Sequence, residues 1–310
     1  MKPITPGGPR PNPLPIHERL ASHLYRAPVF FLATAICATL ALIVSLFEKR
    51  GRGQHRIAQI WARLSVLFSG AQVTVLHSER LQRPKNQPAV YVSNHLSYMD
   101  TPILFSALRF QFRIVARSGL FKIPFIGWWL RRSGQVSVDV GNPRASIASL
   151  ASAVRTLKDG MPLVVFPEGG RTESGEPAKF LNGPAFMAIR AQTPVIPMAL
   201  IGTHELLPIH SSAVHPVPVT LAVGEPVETA GMTTRQMNEL TAILEERVAT
   251  LYYEHSWRKR PQAPPAILER RTIEGDSPAQ RQIAAQTMVG NLEEVSISRD
   301  LHESEEARKP

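Results

Sequence analysis

Cysteine is nearly absent from the sequence. The single thiol, Cys37, cannot form a disulfide within the chain, and there is no cysteine cluster that could hold a metal. The sequence also lacks a G-x-S-x-G nucleophile elbow, an H-E-x-x-H zinc helix and a phosphate-binding P-loop. The segment HELLPIH, residues 204–210, has its two histidines at the wrong spacing for a helical zinc pair. These absences argue against a serine hydrolase, a zinc hydrolase and a P-loop nucleotide enzyme.

Acidic residues are scarce near the N-terminus. The 310-residue chain has a formal net charge of +10. Residues 1–64 contain nine Lys and Arg against two acids, whereas residues 256–310 contain nine of each kind. A strongly basic chain often binds nucleic acid. Here the excess positive charge flanks an apolar segment, which favours an anionic lipid surface as the partner and not nucleic acid.

The apolar segment is APVFFLATAICATLALIVSLF, residues 27–47, and its 21 positions contain no charged residue. As a helix it would be roughly 31 Å long, close to the ~30 Å hydrocarbon core of a bilayer. A cleaved signal peptide fits less well, because its apolar region is usually ~7–15 residues long. We expect a membrane-embedded helix, either spanning or re-entrant, with a buried core helix as the alternative. Basic residues crowd its C-terminal flank, which predicts that the rest of the chain lies on the cytoplasmic side.

Residues 54–70 form a second predicted helix, which is amphipathic. Its apolar side chains recur at helical spacing, and they are Ile57, Ile60, Trp61, Leu64 and Phe68. This stripe can pack on the core of the protein. It can equally lie in the membrane interface beside the first helix, with Trp61 at the level of the lipid headgroups. The sequence leaves both alternatives open.

Short apolar runs alternate with helical patterns between residues 71 and 255. The predicted strands are 71–76, 89–93, 112–116, 135–138, 162–166, 195–200 and 218–223. The predicted helices are 100–108, 122–132, 144–158, 183–191 and 233–252. Asn142 is the expected cap of the third helix, and a capping box from Thr233 to Gln236 begins the last one. Strands that alternate with helices predict an α/β domain with a largely parallel mixed sheet flanked by helices.

The sequence therefore divides into four parts. Residues 1–26 are an N-terminal flank that we expect to be disordered, and residues 27–70 hold the membrane helix and the amphipathic helix. Residues 71–255 form the α/β domain. Residues 256–310 are basic and proline-rich at first and then charged with weak periodicity, which predicts a mostly disordered tail.

The first polar motif follows the predicted strand 89–93. It reads SNHLSYMD, residues 93–100, and it places His95 and Asp100 on either side of a turn that leads into a helix. A carboxylate in this position can hold one imidazole nitrogen, which leaves the other nitrogen free to accept a proton. A histidine and an aspartate at this spacing also occur by chance, so the motif alone does not establish a catalytic pair.

A second motif, VVFPEGGRT, ends the predicted strand 162–166. Its glycines, Gly169 and Gly170, let a ligand approach the backbone closely. Arg171 beside them can grip a phosphate through two parallel hydrogen bonds. In isolation, a surface turn with a solvated Glu168 and a solvated arginine explains the motif as well.

Two more motifs end other predicted strands, where folds of this class place their sites. GQVSVD, residues 134–139, ends at Asp139. TPVIPMALIG, residues 193–202, is an apolar strand interrupted by Pro197. Proline cannot donate a hydrogen bond to a neighbouring strand, so this segment is expected to be an edge strand, a bulge or a wall of the site.

Together, the four motifs resemble the blocks of the glycerolipid acyltransferase family, the PlsC-like lysophospholipid acyltransferases. Their order and spacing agree over roughly residues 55–252. The first family block, N-H-x4-D, is matched by Asn94, His95 and Asp100. The third, F-P-E-G-T-R-S, corresponds to Phe166, Pro167, Glu168, Gly169, Gly170, Arg171 and Thr172. The second block, G-x-x-F-I-D-R, is matched in part by Gly134, Val138 and Asp139, and the fourth, an apolar strand with a central proline, by Pro197.

The resemblance implies an enzyme whose catalytic domain is residues 71–255. It would transfer an acyl chain from acyl-CoA or an acyl-carrier protein to the free hydroxyl of 1-acylglycerol-3-phosphate, giving phosphatidic acid. His95 would be the general base, Asp100 would hold its tautomer, and Arg171 would bind the glycerol phosphate. The expected pocket residues are Asn94, Asp139, Glu168, Gly169, Gly170 and Pro197. Neither a metal nor a cofactor is required, the partners are the lysophospholipid, the acyl thioester and membrane lipids, and the oligomeric state stays open.

The sequence departs from the family pattern near the expected headgroup site. Val140 stands where arginine is usual, Gly170 replaces threonine, and Leu181 stands where lysine often follows the phenylalanine. An acyltransferase for another lyso-lipid, such as a lyso-ornithine lipid, is therefore an alternative. A non-catalytic membrane lipid-binding protein is a second alternative, and it would bind lipid without releasing CoA.

Overall fold

The structure is a computed structural model that describes residues 15–48, 51–84, 87–139, 143–211 and 213–261, without the side chains of 143–147. The predicted cap Asn142, the departure at Val140 and the tail from residue 262 onward lie outside the described residues. The elements below all belong to one compact unit, Met1–Lys259.

The chain begins with helices that run without a break. Helix α1 (Ile16–Ala21) continues through a π-helical turn (Ser22–Arg26) into α2 (Ala27–Phe47). The predicted disorder of the 1–26 flank is therefore wrong from Ile16 onward. Tertiary contacts explain the helix: the Ser22 hydroxyl oxygen accepts a 2.7 Å hydrogen bond from the backbone N–H of Val214. By length and composition alone, the continuous helix Ile16–Phe47 could cross a membrane.

Helix α3 (Arg52–Ser69) packs antiparallel against α2 and joins it to the rest of the fold. Glu48 caps α3, because its carboxylate accepts the backbone N–H groups of Arg52 and Gly53 at 2.9 and 2.5 Å. The indole N–H of Trp61 donates a 2.9 Å hydrogen bond to the Thr34 hydroxyl on α2. The opposite face of α3 presents small residues, including Ala58 and Ala62, to the core. Trp61 of the predicted apolar stripe thus contacts both α2 and the core, whereas Ile60 of the same stripe is exposed.

Seven strands form one mixed sheet, and the predicted fold class is confirmed. The strands are β1 (Gln72–Leu76), β2 (Val90–Ser93), β3 (Arg113–Arg117), β4 (Val136–Val138), β5 (Leu163–Val165), β6 (Val195–Ile201) and β7 (Pro218–Val223). Their order in the sheet is β1-β7-β6-β2-β5-β3-β4. All neighbours are parallel except β6 and β7, which are antiparallel. The β2 and β5 strands are therefore direct neighbours, and their C-terminal ends meet at one edge.

Helices cover both faces of this sheet. They are α4 (Asp100–Ala107), α5 (Ile126–Arg132), α6 (Pro143–Lys158), α7 (Gly183–Ala191), α8 (Thr203–Leu206) and α9 (Met237–His255). Each predicted helix is present, although α5 begins later than expected because a 3-10 turn, Ser118–Lys122, precedes it. The predicted capping box from Thr233 to Gln236 is formed in front of α9.

The alternation of side chains along β2 shows how the core is divided. Tyr91 faces a layer that contains α3 and α4, whereas Val90 and Val92 face a layer that contains α6, α7 and α9. All three side chains are buried. Because both faces of the strand are covered, β2 reads as a continuous apolar run, as is usual for a strand in a parallel sheet.

Pro197 lies inside the sheet, so the predicted edge strand is wrong. Strand β6 pairs with β2 on one side and β7 on the other. The Pro197 carbonyl accepts a 2.8 Å hydrogen bond from the Gly224 N–H, and its ring nitrogen faces the same side of the strand. On that side the regular β6–β7 ladder begins only at Met198. The missing N–H of proline therefore breaks no bond of the ladder.

Candidate active site

His95 and Asp100 form a direct pair at the end of β2. The His95 Nδ1 lies 2.7 Å from the Asp100 Oδ2. The carboxylate is fully buried, while about a fifth of the imidazole is exposed. Since an ionised carboxylate only accepts hydrogen bonds, Nδ1 is the protonated nitrogen and Nε2 carries a free lone pair. The pair is thus arranged so that the accessible nitrogen can act as a base.

Asp100 is held by the backbone at the start of α4. Its Oδ2 also accepts the N–H groups of Leu96 and Ser97, at 2.7 and 2.8 Å. These bonds, from residues that precede the helix, close the turn between β2 and α4. They fix the carboxylate before any substrate binds. The spacing of His95 and Asp100 in the sequence therefore reflects a preformed turn that aims one oxygen at the imidazole.

The loop after β5 holds the backbone of His95 on both sides. The His95 N–H donates to the Glu168 Oε1 at 3.1 Å, and the His95 carbonyl accepts the Thr172 N–H at 3.2 Å. The imidazole also stacks on the Phe166 ring, with centroids 4.0 Å apart and planes inclined by 14°. The SNHLSYMD and VVFPEGGRT motifs therefore meet in space, as the adjacency of β2 and β5 requires.

Glu168 is an unusual carboxyl group in this loop. Burial raises its pKa to about 8, and the nearby negative charge of Asp100 acts in the same direction. Hydrogen bonds from the backbone N–H groups of His95 and Ala178 oppose the rise only in part. Glu168 is therefore largely protonated at neutral pH, and it acts as a structural link to His95 with little negative charge of its own.

Arg171 lies beside this pair at the surface. Its guanidinium stands 3.6 Å from the centroid of the Tyr98 ring, which places the cation over the aromatic face. Tyr98 belongs to the turn that carries His95, so the arginine and the base share one rim. Arg171 is exposed, which leaves its N–H groups accessible to an anionic ligand.

A second cation, Arg117, was missed in the sequence. It ends β3, and its Nε donates a 2.6 Å hydrogen bond to the Gly169 carbonyl. A Cβ atom at Gly170 would lie 3.2 Å from its Nη2, so the glycine leaves room for this guanidinium. The position of Arg117 directly after the predicted strand 112–116 was the signal that the sequence offered. The site thus has two arginines where the sequence suggested one.

The other expected pocket residues are placed differently. Asn94 is buried, and its amide donates to the Leu200 carbonyl at 2.9 Å and accepts the Leu200 N–H at 2.7 Å, so it ties β2 to β6. Pro197 is buried in β6 and presents no surface to a ligand. Asp139 accepts a 3.2 Å hydrogen bond from the Ser118 hydroxyl. Since β4 is three strand positions from β2, Asp139 lies roughly 14 Å from the His95 strand.

An apolar cavity of about 370 Å³ lies between the helices and the sheet next to this site. Thr101, adjacent in sequence to Asp100, is part of its wall, and so is Phe105 on the same helix. The remaining walls come from α2, α3, β3, α5 and the residues next to α5, including Phe125. Its lining is almost entirely hydrocarbon, which suits an alkyl chain. Within the described ranges, no three His, Cys, Asp or Glu side chains converge as a metal site would require.

The comparisons with known proteins agree with this geometry. The family model described as Acyltransferase matches residues 72–201, which contain both the His95 and the Arg171 motifs. A 1-acyl-sn-glycerol-3-phosphate acyltransferase of Chlamydomonas reinhardtii is 31% identical over 71% of this chain and 67% of its own length. The chain belongs to this acyltransferase family.

Other members of the family show how far the likeness extends. The chloroplastic 1-acyl-sn-glycerol-3-phosphate acyltransferase LPAT1 of Arabidopsis thaliana is 32% identical over 68% of this chain, and the match spans 60% of that protein. The crystal structure of the 1-acyl-sn-glycerophosphate (LPA) acyltransferase PlsC from Thermotoga maritima superposes with a TM-score of 0.63. It is 26% identical and covers 75% of this chain and 95% of its own.

Proposed function

We propose that this protein transfers an acyl group from a thioester to the free hydroxyl of 1-acylglycerol-3-phosphate, giving phosphatidic acid. One observation carries the proposal: the His95–Asp100 pair and the guanidinium of Arg171 share one rim at the sheet edge. A base and a phosphate-binding cation on the same rim suit a substrate that carries both a hydroxyl and a phosphate. The names of the relatives support the same substrate.

The chemistry follows from the orientation of the imidazole. A hydroxyl is a poor nucleophile at neutral pH, so the Nε2 of His95 takes its proton while the oxygen attacks the thioester carbonyl. Asp100 stabilises the resulting imidazolium through Nδ1. The C–S bond then breaks, and the imidazolium returns its proton to the departing thiolate. The enzyme ends the cycle in its starting protonation state, with an ester and a free thiol as products.

Substrate positioning falls to the loop after β5. Arg171 binds the glycerol phosphate, and Arg117 adds positive charge on the other side of Gly169 and Gly170. The N–H of Gly169 is bound to the Phe166 carbonyl at 3.2 Å, so it does not serve the oxyanion. The N–H of Gly170 is the remaining candidate of the two glycines for that role. The apolar cavity beside Thr101 receives an acyl chain, whether CoA or a carrier protein delivers it.

The proposal includes a membrane location with the active site on the cytoplasmic side. The first helices contact the rest of the protein near both ends and in the middle: Ser22 binds Val214, Thr34 binds Trp61, and the Ser45 carbonyl accepts a hydrogen bond from Arg132. A helix that spans the bilayer would place its two ends on opposite sides of a ~30 Å core. One body cannot contact both ends in that arrangement. The structure therefore favours a helix embedded in one leaflet over a spanning one.

The test is an acyl-transfer assay with the purified full-length chain in mixed micelles. Lysophosphatidic acid and acyl-CoA are expected to give phosphatidic acid and free CoA. His95→Ala should abolish CoA release, and Asp100→Asn should lower kcat about 10²–10⁴-fold, the usual contribution of a positioned base. His77→Ala is the matched control, because this half-exposed histidine follows the edge strand β1, pairs with Glu79 and should leave the rate unchanged.

Three outcomes would contradict the proposal. CoA release that survives His95→Ala removes the mechanism. Lipid binding without CoA release identifies a non-catalytic lipid-binding protein. A panel of acceptors that includes lyso-ornithine lipid decides the headgroup, since a higher kcat/KM for a phosphate-free acceptor would rule out the role given to Arg171. Replacing acyl-CoA by an acyl-carrier protein thioester identifies the donor.

A further inference from the structure

The exposed apolar side chains of the catalytic domain are concentrated in one short stretch. Among the described residues after α3, seven large apolar side chains are exposed, and five of these fall within residues 120–128. They are Leu120, Ile123, Phe125, Ile126 and Trp128. Of the other two, Tyr98 lies against Arg171 and Leu181 lies against Gly169. We call residues 120–128 the apolar loop. Such a dense exposed patch is typical of a surface that binds an apolar partner.

The apolar loop is held in place by the domain. The N–H of Gly127 donates to the Ile123 carbonyl at 2.7 Å, and Arg131 donates to the Phe121 carbonyl. Phe125 has a φ of 62° and a ψ of −53°, a conformation that is rare for a bulky side chain. The residue is nevertheless 74% exposed, so burial of its side chain gives little compensation for the strained conformation. Hydrogen bonds thus hold the backbone of the apolar loop in one conformation while its apolar side chains point outward.

The charged residues in the sequence that contains the loop are of one sign. Residues 101–138 contain six Lys and Arg and no Asp or Glu. Lys122 lies within the loop, and Arg131 and Arg132 follow it at the end of α5. Apolar and aromatic side chains flanked only by basic residues match the composition of segments that bind anionic bilayers. The patch is therefore complementary to a lipid surface in both polarity and charge.

The apolar loop also adjoins α2, which belongs to the helix that is long and apolar enough to cross a membrane. The guanidinium of Arg132 donates a 2.9 Å hydrogen bond to the Ser45 carbonyl near the end of α2. Phe125 and Ile126 line the same apolar cavity as Cys37 and Ala41 of α2. Most of the large apolar side chains of α2 that face away from this cavity are exposed. The two apolar surfaces are therefore neighbours on the molecule.

From these observations we infer that the apolar loop is a second membrane-inserting element, one that belongs to the catalytic domain itself. It enters the same leaflet as α2, with its apolar side chains at the boundary between headgroups and acyl chains. The basic residues Lys122, Arg131 and Arg132 lie at the lipid phosphates. The partner is an anionic bilayer surface. Because the loop gives the catalytic domain a membrane contact of its own, it fixes the orientation of the domain on the bilayer together with α2.

The position of the loop gives it a consequence for catalysis, and this part of the inference rests on the proposed function. Arg117, which binds the Gly169 carbonyl at the active site, lies three residues before the loop. Insertion of the loop therefore brings the rim of the site to the membrane surface. A lysolipid can then reach His95 with its acyl chain still in the leaflet, without the cost of transfer through water.

Site-directed fluorescence tests the insertion without any assumption about catalysis. In full-length chain with Cys37→Ser, the variants Ile123→Cys and Trp128→Cys each carry one environment-sensitive label. Asp159→Cys is the control, because this exposed residue precedes β5 at the opposite edge of the sheet. The chain is reconstituted with vesicles of phosphatidylcholine with or without phosphatidylglycerol, and quenching by iodide in the water is compared with quenching by spin-labelled lipid.

We expect the labels at 123 and 128 to be quenched by the lipid-borne quencher and protected from iodide, most strongly with phosphatidylglycerol. The label at 159 should show the reverse. Equal access of iodide to all three labels would overturn the inference. Protection that appears only after an acidic carrier protein is added would also overturn it, because the loop would then be a protein-binding surface.

A second experiment measures the consequence for turnover. Ile123→Asp combined with Trp128→Asp should lower turnover of lysophosphatidic acid embedded in vesicles about tenfold or more. The reason is that burial of one large apolar side chain in the bilayer raises the binding constant by more than about tenfold. Turnover of a short-chain lysolipid dissolved as a monomer should stay unchanged, which also shows that the variant is folded. An equal loss on both substrates contradicts the consequence. If the unchanged protein turns over neither substrate, the proposed function fails while the quenching result stands.

Discussion

Glu168 offers a sharp physical test of the active-site geometry. Its Oε1 accepts the His95 N–H, and burial raises its pKa from an ordinary 4.5 to about 8. Glu168→Gln keeps the shape and the acceptor oxygen, and it mimics the protonated form. We therefore expect this variant to become more stable than the unchanged protein as the pH rises from 5 towards 8.5.

The direction follows from proton linkage. The folded state binds the Glu168 proton more tightly than the unfolded state, so its contribution is fully present below pH 4.5 and is lost as the pH rises through about 8. Each pKa unit corresponds to ~1.4 kcal/mol, so the loss amounts to at most ~5 kcal/mol. In a domain of this size, that limit corresponds to roughly 10 °C in the unfolding midpoint. Glutamine does not titrate, so the variant should show none of this loss.

The assay compares thermal unfolding midpoints in detergent at several pH values between 5 and 8.5. The difference between Glu168→Gln and the unchanged protein cancels the titration of all other groups. Glu173→Gln is the matched control, because this carboxylate is exposed a few residues further along the same loop. If the difference in unfolding midpoint between the two proteins stays constant over the whole pH range, Glu168 is not buried and bonded to His95 in the way described above.

Two further predictions test neighbouring parts of the site. Asn94→Leu should lower the free energy of unfolding by ~2–4 kcal/mol in denaturant titration, because it leaves the N–H and the carbonyl of Leu200 buried without their partner, whereas a substrate-binding role predicts little change in stability. Arg258→Ala should raise KM for the lysolipid severalfold and leave kcat nearly unchanged. The reason is that Arg258 donates hydrogen bonds to the Ser174 carbonyl and to Glu205, which stabilises the loop that follows Arg171. Arg258→Lys should bring KM only part of the way back.

The regular elements of the catalytic domain could be predicted from the sequence because local signals and tertiary structure agree there. The strands are mostly apolar and are followed by turns, and both faces of β2 are buried. The start of α9 followed from a capping box, which depends on residues only three positions apart. The helical segment from Ile16 to Arg26 could not be predicted in this way, because a distant partner, Val214, stabilises it.

The pairing of His95 and Asp100 was predictable for the same local reason, since one turn contains both residues. The roles of Asn94 at the end of β2 and Pro197 in β6 depend on the pairing of these two strands. The strands are about a hundred residues apart in sequence and become neighbours only in the folded sheet. A sequence motif shows that such residues recur together, but it does not distinguish a ligand contact from a bond between strands. Arg117 escaped notice because its importance comes from the order of strands, which places β3 beside β5.

The sheet order also explains why one loop holds both His95, the proposed base, and Arg171, the proposed phosphate anchor. The loop after β5 holds His95 at its N–H through Glu168 and at its carbonyl through Thr172, and Arg171 lies between these two residues in sequence. Any movement of this loop therefore shifts the base and the phosphate anchor together. A substrate hydroxyl is delivered to Nε2 at a distance set by the glycerol backbone, so a rigid link between the two groups favours one acceptor geometry. Selectivity for the acceptor should accordingly depend on the rigidity of this loop as much as on the charge of Arg171.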